Sequence, residues 1–241
     1  MRRPPPPHVG SVGMKIHAEA LLFDNDGTLV SSMASVTRCW TTWAQEYGIT
    51  AEDFGRVELH GRPAVEIVAG LLPADVVPEA LARIEQLEVE DVAGGAVLLP
   101  CTAALLASPP SPKFSASLEQ GGAPIRWAVV TSATRRLGEA RLTEAGIRPQ
   151  NLISADAITR GKPDPEPFLL AAARLGVDPA RCVVFEDAPA GLAAGRAAGM
   201  TTVALTTTHR AEELVADVVV KDLSAVSAQA TAGGVEITTA E

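Results

Sequence analysis

The chain has 241 residues, 47% of them hydrophobic and 20% charged, which is ample for a folded core and too apolar for a disordered chain. A formal net charge of −9 excludes a general binder of nucleic acid or of anionic membranes, although a metal ion and a few placed cations can still turn a local field toward an anion. Three cysteines (Cys39, Cys101 and Cys182) without CxxC spacing support neither a disulfide framework nor a zinc site, and they read as small buried hydrophobes.

Residues 1–15 begin with Arg2, Arg3 and a proline run, with no apolar segment behind them, and read as a disordered tail rather than a signal peptide. No uncharged apolar run reaches membrane-spanning length, so a cytoplasmic protein is expected. The stretch Leu21-Leu22-Phe23-Asp24-Asn25-Asp26-Gly27-Thr28-Leu29 then reads as a buried strand ending in two acids. In extended backbone, residues i and i+2 share a side, so Asp24 and Asp26 face one space and Asn25 points away. Paired carboxylates repel unless a cation or a shared proton intervenes. Gly27 ends the strand, and Thr28 can bond to the turn backbone.

Residues 32–47 read as a helix capped by Ser31 or Ser32, with Val36, Trp40, Trp43 and Tyr47 forming one apolar stripe and Gly48 the stop. Residues 63–71 and 78–92 read as further helices, the second with acids and arginine on its exposed face. Segment 31–97 is therefore predicted to be all-helical. Residues 108–124 hold four prolines and several serines and read as a loop or insert. Beyond Arg126, strands at 127–130, 152–153, 182–185, 202–205 and 218–220 alternate with helices at 135–145, 166–175 and 190–198, the last strand at an edge. This pattern predicts an α/β fold: a Rossmann-like doubly wound parallel sheet formed by residues 16–30 and 98–225. The small all-helical cap, 31–97, is inserted after the first strand, and 226–241 is a frayed C-terminal tail. Ligands of such sheets bind beyond the carboxyl ends of the strands, so the helical segment is expected to hang over the site as a lid.

Asp24-x-Asp26-Gly27-Thr28, Thr131 after an apolar strand, Lys162 in Gly161-Lys162-Pro163-Asp164-Pro165, and Glu186-Asp187 after another strand together resemble the haloacid dehalogenase superfamily. All of that family's signature segments occur here in order, and the resemblance spans residues 18–222. The helical insertion is similar to the alpha-helical cap of its small-molecule phosphatases and mutases. The Gly-Lys-Pro-Asp-Pro-Glu-Pro-Phe and Glu-Asp-Ala-Pro-Ala-Gly segments look most like those of 2-deoxyglucose-6-phosphate and glycerol phosphate phosphatases, with beta-phosphoglucomutase a near rival.

The resemblance implies that Asp24 is a nucleophile forming an aspartyl-phosphate, and that Asp26 protonates the leaving alkoxide and then takes a proton from water. It implies a Mg2+ ion held by Asp24, the Asp26 backbone carbonyl and Asp187, with Glu186 in the outer shell. Thr131, the Ser132 amide and Lys162 would bind phosphate. Lys162 is one of only four lysines, which makes a surface role harder to credit. In His60-Gly61-Arg62-Pro63, Arg62 and His60 would contact substrate from the lid. The expected function is a Mg-dependent phosphatase of a small sugar or polyol phosphate, acting as a monomer. The alternatives are a sugar phosphomutase and a non-catalytic regulator that binds a phosphorylated ligand. Three positions depart from the family pattern: Asn25 for an apolar residue, Ser31 for a frequent aspartate and Cys101 for a frequent glycine.

Overall fold

Strand β2 (Ala20–Phe23) is buried along its whole length, and the reason is its place in the sheet. In the computed structural model, which describes residues 14–56, 62–106 and 125–240, β2 pairs in parallel with β5 (Arg126–Val130) on one side and β7 (Cys182–Glu186) on the other. Outward from β5 lies β6 (Leu152–Ile153); outward from β7 lie β8 (Thr201–Leu205) and β9 (Val218–Val220). All five pairings are parallel, so every strand delivers its carboxyl end to the same edge.

Alternation splits these strands between two cores. Ala20, Leu22, Ala128, Val130 and Val184 pack with Phe168, Ala171 and Ala172 of the helix at Glu166–Leu175. Leu21, Phe23, Val129, Val183, Phe185 and Val203 face the other way. There Phe23 stacks on Phe185 with ring centroids 4.8 Å apart. This second face is covered in part by a layer the sequence pattern concealed. Residues from 226 onward, read as a frayed tail, form a hairpin of β10 (Val226–Thr231) and β11 (Gly234–Thr239). β11 pairs antiparallel with β1 (Lys15–Ala18), so Met14 and Lys15, assigned to a leading tail, belong to this sheet as well. Val235 and Ile237 are buried by strict alternation along β11. Ile237→Ala should therefore lower unfolding stability by about 2–5 kcal/mol, read from a denaturant midpoint, where a frayed tail would register nothing. Residues 1–13 lie outside the described residues.

Helices α1 (Met33–Glu46), α2 (Ala51–Phe54), α3 (Ala64–Leu71) and α4 (Val77–Glu90) gather round a separate apolar cluster. Val36, Trp40 and Trp43 form its spine, and the Trp43 indole N–H donates to the Ala80 carbonyl at 2.9 Å. The chain enters this helical unit through β3 (Val30–Ser31) and leaves it through β4 (Val97–Leu98), which pair antiparallel. Ser32 occupies the α1 N-cap but does not cap it, because its hydroxyl donates to Asp26 instead, at 2.6 Å. Ser31 lies in β3.

After α5 (Thr102–Leu106), the core helices are α6 (Arg135–Glu144), α7 (Glu166–Leu175) and α8 (Pro189–Ala197). The proline-rich stretch 108–124 lies outside the described residues. Cys39 and Cys182 are buried as expected, but Cys101 is exposed with φ +62°, a left-handed conformation that explains why glycine suits that position. Among the described residues, no helix is long and apolar enough to cross a membrane.

Candidate active site

The strand order makes the site. With β2 between β5 and β7, the residues that follow these three strands meet: Asp24, then Thr131, then Asp187. The Asp24 amide still donates to the Phe185 carbonyl at 3.0 Å, so the first acid is held by the sheet itself. Beyond it the chain turns sharply. The Asn25 carbonyl accepts from Leu29 and Val30 amides at 2.8 and 3.0 Å. Gly27 takes φ +95°, and a Cβ there would overlap the Asp187 carboxylate, so no other residue fits.

Lys162 arrives on a loop shaped by its own motif. The Glu166 carboxylate accepts the Thr159 and Arg160 amides at 2.7 and 3.1 Å, and Asp164 accepts the Glu166 amide at 2.9 Å. The ammonium is then spent on three acceptors: Asp24 Oδ1 at 2.5 Å, Glu186 Oε1 at 2.6 Å and the Val130 carbonyl at 2.9 Å. Only 2% of this side chain is exposed. Burial opposes its charge, but Asp24 and Glu186 outweigh burial and hold the ammonium above its ordinary pKa.

Glu186 uses both oxygens inside the protein. Oε1 takes Lys162, and Oε2 accepts the Asp187 and Ala188 amides, each at 3.0 Å. Gly191 makes this possible, because a Cβ on that turn of α8 would collide with the carboxylate. Glu186 thus positions Lys162 and the start of α8, and it stands beside Asp187, where the sequence reading put it in the outer metal shell. Asp187 Oδ1 accepts the Thr28 hydroxyl at 3.0 Å and Oδ2 the Thr208 hydroxyl at 2.5 Å. One oxygen from each of Asp24, Glu186 and Asp187 lies within 4.8 Å of the others. Three buried carboxylates against one ammonium leave a surplus of negative charge, which fits a hard cation. Burial pushes the Asp24 carboxyl well above the ordinary carboxylate range; Lys162 opposes that, while Glu186 and Asp187 add to it.

Asp24 and Asp26 open into a cavity of about 480 Å3. Thr131, Ser132, Arg62 and Pro63 share its walls, so the structure brings together the sequence-predicted groups on core and helical unit. A Cβ on Gly161 would come within 3.0 Å of the Pro63 ring, so the core and the helical unit approach closely there. Thr131 Oγ1 accepts the Ala133 amide at 3.1 Å. Arg62 is 3.5 Å from Glu66 and partly exposed. His60 lies outside the described residues. Trp40, Ile67 and Ile84 supply apolar wall.

Sequence reasoning missed several participants. Arg141, buried on α6, reaches Asp26 Oδ1 at 3.1 Å and Glu88 Oε1 at 2.9 Å. Glu88 and Glu85 were read among exposed acids of α4, yet Glu88 is buried and both line the cavity. Burial pushes the Glu88 carboxyl up, with Arg141 opposing. Thr208 follows β8 at the same sheet edge, a position the strand pattern could have flagged. Asn25 is absent from the walls of the cavity that Asp24 and Asp26 share, as expected, although β2 ends at Phe23 and the turn beyond it, not strand alternation, sets this. Its side-chain N–H donates to Asp26 Oδ2 at 3.2 Å, while its buried Oδ1 has no partner among the described residues. Asn25→Leu should remove that orphan acceptor and stabilise by about 1 kcal/mol, raising Tm by roughly 2–4 °C in calorimetry.

A doubly wound sheet whose acids, lysine and threonine meet at its carboxyl edge, under a helical unit, defines an α/β enzyme with a carboxylate-centred site. The chain belongs to the haloacid dehalogenase-like hydrolase family, which it matches over residues 18–199. Hexitol phosphatase A of Escherichia coli (strain K12) is 37% identical over 195 residues, covering 79% of this chain and 84% of that protein. Validoxylamine A 7'-phosphate phosphatase of Streptomyces hygroscopicus subsp. limoneus is 38% identical over 208 residues, covering 85% of this chain and 94% of that one. Among solved structures, beta-phosphoglucomutase from Clostridium difficile aligns with a TM-score of 0.70 at 22% identity over 85% of this chain and 91% of that chain, a likeness of fold.

Proposed function

We propose that the chain is a Mg2+-dependent phosphatase of a small sugar or polyol phosphate, working through an aspartyl-phosphate on Asp24. The observation that carries this reading is the shared cavity: two carboxylates beyond the end of β2, a Thr-Ser turn and an arginine line the same cleft. The curated relatives, named as a hexitol phosphatase and a validoxylamine A 7'-phosphate phosphatase, support a phosphoric monoester hydrolase acting on a small phosphorylated metabolite. The mutase alternative has a likeness of fold alone behind it.

In this reading an Asp24 oxygen attacks phosphorus, the phosphorus–alkoxide bond breaks, and Asp26 gives its proton to the leaving oxygen. Water then attacks the aspartyl-phosphate and gives its proton to Asp26. Inorganic phosphate leaves, and the Asp24 carboxylate is restored. Thr131 and the Ser132 amide donate to the phosphoryl oxygens, Lys162 adds positive charge beside Asp24, and Arg62 meets the substrate from the helical unit. Asp24, Asp187 and the Asp26 carbonyl would hold the ion, with Thr28 and Thr208 orienting Asp187 and Glu186 positioning Lys162. When bound, Mg2+ supplies charge neutralisation for the phosphoryl group.

Phosphate release should be screened across hexitol, sugar, glycerol and nucleotide monophosphates with Mg2+, with and without EDTA. Release from polyol or sugar phosphates that EDTA stops and Mg2+ restores is expected. Release unaffected by EDTA would overturn the metal assignment, and bisphosphate-dependent isomerisation without net release would make the chain a mutase.

A further inference from the structure

A charged seam joins the helical unit to the core and ends on Asp26. Along it, α4 and the turn after it lie beside α6 and its N-cap, joined by three polar pairs. The Thr134 hydroxyl donates to Glu85 at 2.6 Å, Arg141 pairs with Glu88 at 2.9 Å, and the Gly94 amide donates to Glu144 at 3.0 Å. The outer pairs are partly or fully exposed and would suffice to dock one helix on the other. The middle pair is different. Only 6% of the Arg141 side chain and 7% of that of Glu88 are exposed, and the guanidinium reaches past Glu88 to Asp26 Oδ1 at 3.1 Å. Burying the two charges of Arg141 and Glu88 is expensive unless geometry requires it, and an apolar pair would serve docking as well. Both Arg141 and Glu88 also line the cavity beside Asp26.

We propose that Arg141 and Glu88 are positioning residues that couple docking of α4 on α6 to the placement of Asp26; this rests on the phosphatase reading above. The guanidinium is shared between a carboxylate of the core and one of the helical unit. While Glu88 takes its share, Arg141 is drawn back and Asp26 is oriented from two sides, by Arg141 and by the Ser32 hydroxyl at 2.6 Å. Without Glu88, whether by mutation or by undocking of α4, Arg141 closes on Asp26 and holds it from the leaving oxygen. The acid is then ready only beneath a docked helical unit.

The test exploits leaving-group demand. An alkyl phosphate needs a proton from Asp26 as its bond to phosphorus breaks, whereas p-nitrophenyl phosphate leaves as a stable phenolate. Glu88→Gln keeps shape and loses charge; Arg141→Lys keeps charge and loses the two-pronged reach. In each, the ratio of kcat/KM for the best alkyl phosphate to that for p-nitrophenyl phosphate should fall about tenfold or more. Equal losses on both substrates would reduce the seam to docking and overturn the proposal, as would an unchanged ratio with full activity. A wild-type protein that releases phosphate from neither substrate would overturn the phosphatase reading itself, and the positioning role with it.

Discussion

Asp24→Asn should lose phosphate release by roughly ten-thousand-fold or more while melting at a higher temperature than wild type in EDTA above the raised pKa of the Asp24 carboxyl. The first half follows from the nucleophilic role proposed for Asp24. The second follows from where Asp24 sits. Its folded carboxyl holds a proton to higher pH than the unfolded one, whose ordinary value is 3.8, because burial disfavours the charge. The folded state therefore binds more protons above that pH, and the stability this group contributes is present below 3.8 and lost as pH rises through the raised value. Without a cation, ionising Asp24 as pH rises through the raised value costs stability, a cost that asparagine does not carry. Adding Mg2+ should reverse the order of the two proteins, since the ion stabilises the wild type by binding the folded state. Melting curves in EDTA from acid pH through the raised value decide it: coincident wild-type and variant curves throughout would refute the electrostatic account, whatever the activity.

Lys162→Met should do the opposite and damage both properties. Methionine matches the length of the side chain but removes all three of its bonds, to Asp24, Glu186 and the Val130 carbonyl. Two buried carboxylates then face each other without their cation, at a cost of roughly 3–5 kcal/mol measured by denaturant unfolding. Activity should fall by roughly a hundred- to a thousand-fold through loss of a preorganised charge beside Asp24. Lys162→Arg should not rescue it, because the pocket between two carboxylates and the Phe168 ring, 5.3 Å from the ammonium, is cut for a point charge. Adding Asp24→Asn to Lys162→Met should restore part of the lost stability, so the double variant falls short of the sum of the two.

The contrast between these two residues shows what was legible in the sequence. Asp24, Lys162 and Asp187 stood at strand ends or in a turn-rich loop, where the α/β pattern already directs attention. The parallel sheet needed only its apolar runs and glycine stops. Arg141 and Glu88 gave no such signal: each sits within a helix among other charges, and only the packing of α4 on α6 buries them. Asn25 stays out of the cavity as alternation predicts, but its unpartnered Oδ1 comes from the turn after β2, which the pattern of apolar residues does not describe. The hairpin at 226–239 misled, since Ala, Ser, Thr and Gln give a weak apolar alternation that β1, far away in sequence, completes.

The pairing of Val30 with Leu98 and Ser31 with Val97 also bears on how this architecture can change. Because the chain leaves and re-enters the core through one short ladder, the core is a closed frame with a socket. Whatever joins the two sides of that socket can lengthen, shorten or be exchanged at small entropic expense, as closure grows only slowly with loop length. In the proposed reaction the atoms that handle phosphoryl transfer stay with the frame, and most of the remaining cavity wall travels with the plug. Selection or engineering for a new substrate can thus work on one side of the ladder, provided the replacement brings an acid to meet Arg141.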